Sequence, residues 1–73
     1  GRVSVLKDWR GLNVGAALIN AVVAEAEKRG LTQQMLSAQV QATAFYEKLG
    51  FAIVSGEYLD AGIPHVDMVR HSA

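Results

Sequence analysis

Apolar positions recur at helical spacing in two stretches of the chain, and the rest is short β-branched or alternating runs divided by glycines. Val14, Leu18 and Val22 form one row at four-residue intervals, and Ile19, Val23 and Ala26 form a second row beside it. That period predicts a helix over about residues 14–29. Glu25 stands four residues before Arg29, Lys28 and Arg29 suit the negative end of the dipole, and Gly30 is a natural stop. With two apolar rows, the helix is expected to be mostly buried. A second helix face is drawn by Ala42, Phe45, Tyr46 and Leu49. Gly50 should end it in a left-handed turn, with Phe51 packing back onto its last turn.

The remaining runs read as strands. Val3 to Leu6 is short and β-branched, and 34–38 has the length of a strand although its period does not separate strand from helix. Residues 51–54 form the next strand. Ser55-Gly56 opens a turn, Glu57, Tyr58 and Asp60 read as a solvated acidic loop, and Ala61-Gly62-Ile63-Pro64 closes that loop. Val66 and Met68 alternate with His65 and Asp67 in a final strand, and Arg70 to Ala73 is expected to fray. The order is β-α-β-α-β-β, an α/β class with a mixed sheet and two helices. A right-handed crossover makes the first two strands parallel, and the last two suit antiparallel pairing.

Composition narrows the function classes. The chain has 73 residues, 51% of them hydrophobic, so it is one small domain richer in core than in surface. A further segment of chain or a second copy would cover such surface. Formal net charge is zero with no basic cluster beyond Lys28-Arg29, which argues against a nucleic-acid partner. Cysteine is absent, which removes disulfides, thiolate zinc sites and thiol nucleophiles. No run reaches membrane-span length and the start lacks a signal-peptide pattern, so a cytoplasmic protein is the default expectation. His65, Asp67 and His71 are too few and too close to the end of the chain to argue for a metal.

The turn from the first strand into the first helix carries the chemistry. Arg10-Gly11-Leu12-Asn13-Val14-Gly15 leads into the helix, where unpaired backbone N–H groups meet the positive end of the dipole. The amides from Leu12 to Ala16 could cradle a phosphate, with Arg10 adding a charge-assisted contact. Glycine in such a turn is also used for conformation alone.

Arg10-Gly11-Leu12-Asn13-Val14-Gly15-Ala16-Ala17-Leu18 resembles the acetyl-CoA motif of GNAT N-acetyltransferases, written Arg/Gln-x-x-Gly-x-Gly/Ala. Ala44-Phe45-Tyr46-Glu47-Lys48-Leu49-Gly50-Phe51 resembles that family's Tyr-x-x-x-Gly-Phe segment, at about the family's distance downstream. Leu36-Ser37-Ala38-Gln39 and the segment from Ala61 to Met68 are similar to a bacterial subgroup known as ElaA-like or YjcF-like. The resemblance covers nearly the whole chain and implies a single partial domain over 1–73, the carboxy-terminal half of an acyl-CoA N-acyltransferase fold. It implies acetyl-CoA as co-substrate and an amine as acceptor. It places the pyrophosphate on Arg10, Gly11, Leu12, Asn13, Val14, Gly15 and Ala16. The pantetheine arm would lie where the two parallel strands splay, against backbone groups of Val5 and Leu6, with Gln39 at the second strand's end.

The same resemblance makes Tyr46 the general acid for the departing thiolate. A phenol of ordinary pKa near 10 outlasts a thiol near 8.5, so it can donate at neutral pH. Tyr46 equally fits the apolar helix face with Ala42 and Leu49. Asn13 stands where the motif has its first glycine. Asparagine tolerates positive φ better than most residues, but its side chain would crowd a phosphate if the position needs emptiness. Trp9 suits adenine stacking or a hydrophobic anchor, and His65 the acceptor rim or a structural role.

Three readings follow. The chain is part of an acetyltransferase, or a non-catalytic coenzyme A-binding module that self-associates as a homodimer or by strand exchange, or a structural fragment in which Asn13 blocks the cofactor.

Overall fold

The computed structural model describes residues 3–6 and 15–72. Five strands and two helices follow in the order β1 (Val3–Val5), α1 (Ala16–Lys28), β2 (Gln33–Gln39), α2 (Thr43–Lys48), β3 (Ala52–Ile53), β4 (Tyr58–Asp60) and β5 (Ile63–His71). A single 3₁₀ turn, Val40–Ala42, joins β2 to α2.

Both helices end as their glycines require. Gly30 and Gly50 have φ of 75° and 94°, in the left-handed region that costs other residues a Cβ clash. In α1 the Leu31 N–H reaches the Ala26 carbonyl and the Gly30 N–H that of Glu27, each at 3.0 Å. In α2 the Phe51 N–H bonds Tyr46 at 3.1 Å and the Gly50 N–H bonds Glu47 at 3.0 Å. Both are Schellman closures, which satisfy carbonyls that a helix end leaves open. Phe51 packs back on α2 as expected, its ring 6.0 Å from that of Tyr46 in an edge-on arrangement.

The sheet runs β1-β2-β5-β3, with β4 also on β5. β1 and β2 are parallel, and every pairing to β5 is antiparallel. Seven consecutive pairs join β2 to β5, from Gln33 opposite His71 to Gln39 opposite His65. This register sends Leu36, Ala38, Val66 and Met68 to one face, where they meet Ile19, Val23, Leu6 and Phe51 in the core. Phe45, Tyr46 and Leu49 pack on the same cluster, so both helices cover one face of the sheet. The other face carries Met35, Ser37, Gln39, His65, Asp67 and Val69.

Three expectations fail. Only one apolar row of α1 is buried. Ile19, Val23 and Ala26 are within the core, whereas Leu18 is 45% exposed and Val22 half-buried, because the sheet lies against a single side of the helix. The solvated loop at Glu57, Tyr58 and Asp60 is instead largely strand β4. It is joined to β5 by the two-residue turn Ala61-Gly62, whose φ values of 53° and 77° match the twist of a tight hairpin. Alanine is an unusual first residue for that turn, which hid the signal. Ile63 and Pro64 therefore open β5 and do not close a loop.

The frayed tail is the third failure: Arg70 and His71 pair with Gln34 and Gln33, and the Ser72 N–H donates to Thr32 at 2.7 Å. Gln34 is fully buried and satisfied. Its Nε2 donates to the Leu31 carbonyl at 2.6 Å, and its Oε1 accepts from Arg70 at 3.1 Å. Hydrogen bonds from Ser72 and Arg70 hold the Glu27 carboxyl below the usual range. A buried amide left without such partners would carry its full desolvation cost, and that keeps the last residues in place.

A Cβ on Gly50 would sit 3.2 Å from Arg70 Nε in addition to adopting a left-handed φ. Gly50→Ala should therefore lower stability by about 1–2 kcal/mol. Gly56, with open space around it and no positive φ, should accept alanine with little change. Urea denaturation of the two variants, read as the shift in midpoint, checks the contrast.

Candidate functional site

β1 and β2 stay together for three pairs and then part. The last bond between them runs from the Leu6 N–H to the Met35 carbonyl, at 2.7 Å. A regular parallel ladder would next join the Ser37 N–H to the Leu6 carbonyl, and among the described residues that rung is absent. β2 continues through Gln39, about 13 Å beyond Met35, with no partner on the β1 side among the described residues. A carbonyl and an N–H thus face one another across an opening, the arrangement that an extended ligand fills by pairing as a strand. The Val5 backbone, one residue out of phase, points to the opposite edge.

The amino-terminal end of α1 offers a second set of backbone donors. Gly15 is the N-cap, in an extended conformation with φ −84° and ψ 163°, and no side chain caps the helix. The Leu18 and Ile19 N–H groups turn to the Gly15 carbonyl at 3.2 and 3.4 Å, so Ala16 and Ala17 begin the run of open donors. The first turn has no acidic residue to compete for them. Any residue can adopt the Gly15 backbone conformation, and among the described residues a Cβ there would meet nothing within 4 Å.

Tyr46 lies on the inner side of α2, half-buried, edge-on to Phe45 at 5.1 Å between ring centroids and to Phe51 at 6.0 Å. Gln39 closes β2 and accepts a hydrogen bond from Gln41 at 2.5 Å. Trp9 and the predicted phosphate residues Arg10, Gly11, Leu12, Asn13 and Val14 lie outside the described residues. A cleft of about 330 Å³ between β1 and α1 is lined by Ser4, Val22, Glu25, Ala26, Arg29 and Leu31. It contains none of the predicted site residues, and its walls offer only the exposed Glu25–Arg29 pair as charge.

One cluster escaped the sequence reading. Tyr58 crosses the uncovered sheet face so that its hydroxyl lies 2.6 Å from Ser37 Oγ and 2.6 Å from Asp67 Oδ1. A carboxylate only accepts, so the phenol donates to Asp67 and Ser37 donates to the phenol. The Tyr58 ring stacks on His65 at 6.2 Å, and His65 is fully buried with its Nδ1–H donated to the Ile63 carbonyl at 2.6 Å. His65 is thus fixed within the sheet. Ser55 holds the other side of Asp67, its Oγ accepting the Asp67 N–H at 2.8 Å where β3 and β4 leave a gap along β5. Among the described residues, no group of three metal-ligating side chains gathers, and no helix is long and apolar enough to cross a membrane.

A strand parting beside an uncapped helix start is common to several folds, and comparison with known proteins decides among them. The sequence profile of the acetyltransferase (GNAT) domain matches residues 1–72. The chain belongs to the GNAT acetyltransferase family. It is 41% identical over 70 residues to the uncharacterized N-acetyltransferase YjcF of Bacillus subtilis (strain 168), covering 94% of this chain and 50% of YjcF. The crystal structure of an acyl-CoA N-acyltransferase from Pseudomonas aeruginosa superposes with a TM-score of 0.74 at 39% identity, over 84% of this chain and 42% of that one. A Lactobacillus plantarum structure superposes with a TM-score of 0.77 at 31% identity, over 89% and 44%. The chain spans about half the length of the curated relatives it matches. Membership of the GNAT family implies an acyl-CoA co-substrate, and the sheet and two helices match half of the acyltransferase fold.

In this GNAT chain the hydrogen bond to Asp67 holds the Tyr58 phenol above its ordinary range, while the one from Ser37 opposes it. A raised folded-state value contributes stability below the unfolded value near 10 and loses it as pH rises through the folded one. Of the two tyrosines in the chain, Tyr58 should therefore ionise above pH 10. Asp67→Asn should bring its titration down. Near-ultraviolet absorbance against pH, on the chain and on that variant, reads both.

Proposed function

We propose that the chain binds acetyl-CoA and serves as the cofactor-binding half of an enzyme that transfers the acetyl group to an amine. The observation that carries this reading is the parting of β1 and β2 in a GNAT chain, which leaves the Leu6 carbonyl and the Ser37 N–H open to each other. The pantetheine arm, with its amide groups, pairs there as an added strand. Leu6 contributes its carbonyl, and the side chain of exposed Val5 flanks the arm. The pyrophosphate rests on the amides leading into α1, from Leu12 to Ala16, with Arg10 adding charge. The extended conformation of Gly15 and the space around it among the described residues are compatible with a close-lying phosphate.

Acetyl transfer forms a C–N bond from the amine to the thioester carbonyl and breaks the C–S bond, so the departing thiolate needs a proton. Tyr46 is the proposed donor, because a phenol of ordinary pKa near 10 remains protonated when a thiol near 8.5 does not. Its edge-on contacts with Phe45 and Phe51 fix the ring, which a proton donor needs. Gln39, at the end of β2, is proposed to line the same opening.

Calorimetric titration with acetyl-CoA tests the binding. The chain should bind saturably, and Gly15→Val should weaken binding at least tenfold while leaving the denaturation midpoint nearly unchanged, since the fold has room for the side chain. A well-folded chain that does not bind would contradict the reading. Tyr46→Phe should leave acetyl-CoA affinity intact and lower kcat for acetyl transfer by about 10²-fold or more. An unchanged rate at every pH would remove Tyr46 from the chemistry.

A further inference from the structure

We propose that Asp67, held by Tyr58 and Ser37 on the sheet face opposite the helices, is the anchor for the positively charged acceptor amine. The inference rests on the acetyl-transfer reading and adds to it the charge class of the acceptor and the residue that selects it.

Ser37 joins the two sites. Its N–H faces the opening between β1 and β2, and its hydroxyl starts the chain of hydrogen bonds through Tyr58 to Asp67. Asp67 stands directly opposite Ser37 on β5, and paired residues of an antiparallel ladder bring their side chains about 5 Å apart on one face. The carboxylate is therefore one strand away from the place where the thioester arm would lie.

The direction of the hydrogen bonds fits a cation. Tyr58 donates its proton to Oδ1 and Ser37 donates to the Tyr58 oxygen, which fixes Oδ1 without neutralising its charge. Oδ2 has no hydrogen-bond partner among the described residues. No basic side chain pairs with Asp67 among those residues either. A half-buried carboxylate with one oxygen fixed and one open takes an ammonium through a charge-assisted hydrogen bond. Tyr58 adds the face of a stacked ring beside it, a second attraction for a cation.

Asp67 binds and positions the amine; it does not act as the base. Ordinary carboxyl and alkylammonium pKa values differ by about six units, so direct proton transfer to a carboxylate is unfavourable by about six powers of ten. The ammonium gives its proton to another acceptor before attack, and Asp67 holds the nitrogen in place until it does.

The test titrates the isotopically labelled chain with n-butylammonium and, separately, with n-butanol, following amide resonances at neutral pH. Saturable shifts centred on Ser37, Tyr58 and Asp67, seen with the ammonium and not the alcohol, are expected, and Asp67→Asn should weaken them at least tenfold. Tyr58→Phe should weaken them by less, because it frees Oδ1 without removing the charge. Equal response to amine and alcohol, or shifts spread over the other surface carboxylates, would overturn the proposal. So would an undiminished response in a folded Asp67→Asn chain. Acetyl-CoA is absent from this titration, so failure here is distinct from failure of the calorimetric experiment, which alone bears on cofactor binding.

Discussion

The seven-pair ladder between β2 and β5 is the constraint on which everything else rests. It is the longest pairing in the sheet, and side chains alternate along both strands. A slip of one residue would therefore exchange the two faces. Leu36 and Ala38, or Val66 and Met68, would leave the core, and Ser37 or Asp67 would enter it without its partner Tyr58. The hydrophobic gain of the core and the position of the polar cluster are set by one register. Gln34 and its contacts to Leu31 and Arg70 pin the far end of that ladder, and the Ser55 hydroxyl fills the break between β3 and β4 along its outer edge.

Against that fixed strand pair, the short β1 acts differently. It shares three pairs with β2, and among the described residues the next rung, Ser37 to Leu6, is absent. The open groups belong to the backbone, so the residue types at these positions say little about the opening. What matters is that, among the described residues, β2 runs on beyond the last rung it shares with β1. The same holds at the start of α1, where the donors are amides and the side chains are alanines. In the proposed binding, backbone geometry carries the contacts, and side chains enter only as charge, bulk or proton donors.

The surface shows the same division. Val3, Val5, Leu18, Val54 and Leu59 remain well exposed, and the sheet face opposite the helices is covered only in part. One layer of helices on one face of a sheet buries a single side of each element. The apolar excess in the composition follows from that architecture, in a chain that matches about half the length of its relatives. Leu18 and Val22, expected from their period to be buried, lie exposed and half-buried for the same reason.

How much of this the sequence held depends on the range of the interaction responsible. The helices, their glycine stops and the parallel start of the sheet were legible because they rest on local rules: apolar period, left-handed φ at Gly30 and Gly50, and the handedness of a crossover. The two motifs around Gly15 and Tyr46 were legible because the family resemblance rests on residue types at fixed spacing. The β4–β5 hairpin was missed because Ala61 supplies a turn conformation usually given by glycine or asparagine. The ordered tail was missed because its partners, Gln33 and Gln34, lie far away in sequence. The joining of Ser37, Tyr58 and Asp67 was beyond reach for the same reason: its contacts span 21 and 9 residues and exist only once three strands are in register. The sequence by itself determined the helices, their ends, the strands other than β4, and the family. The tertiary structure alone decided which face each strand residue occupies and where neighbouring strands part, because register is a property of pairs of segments and not of either one.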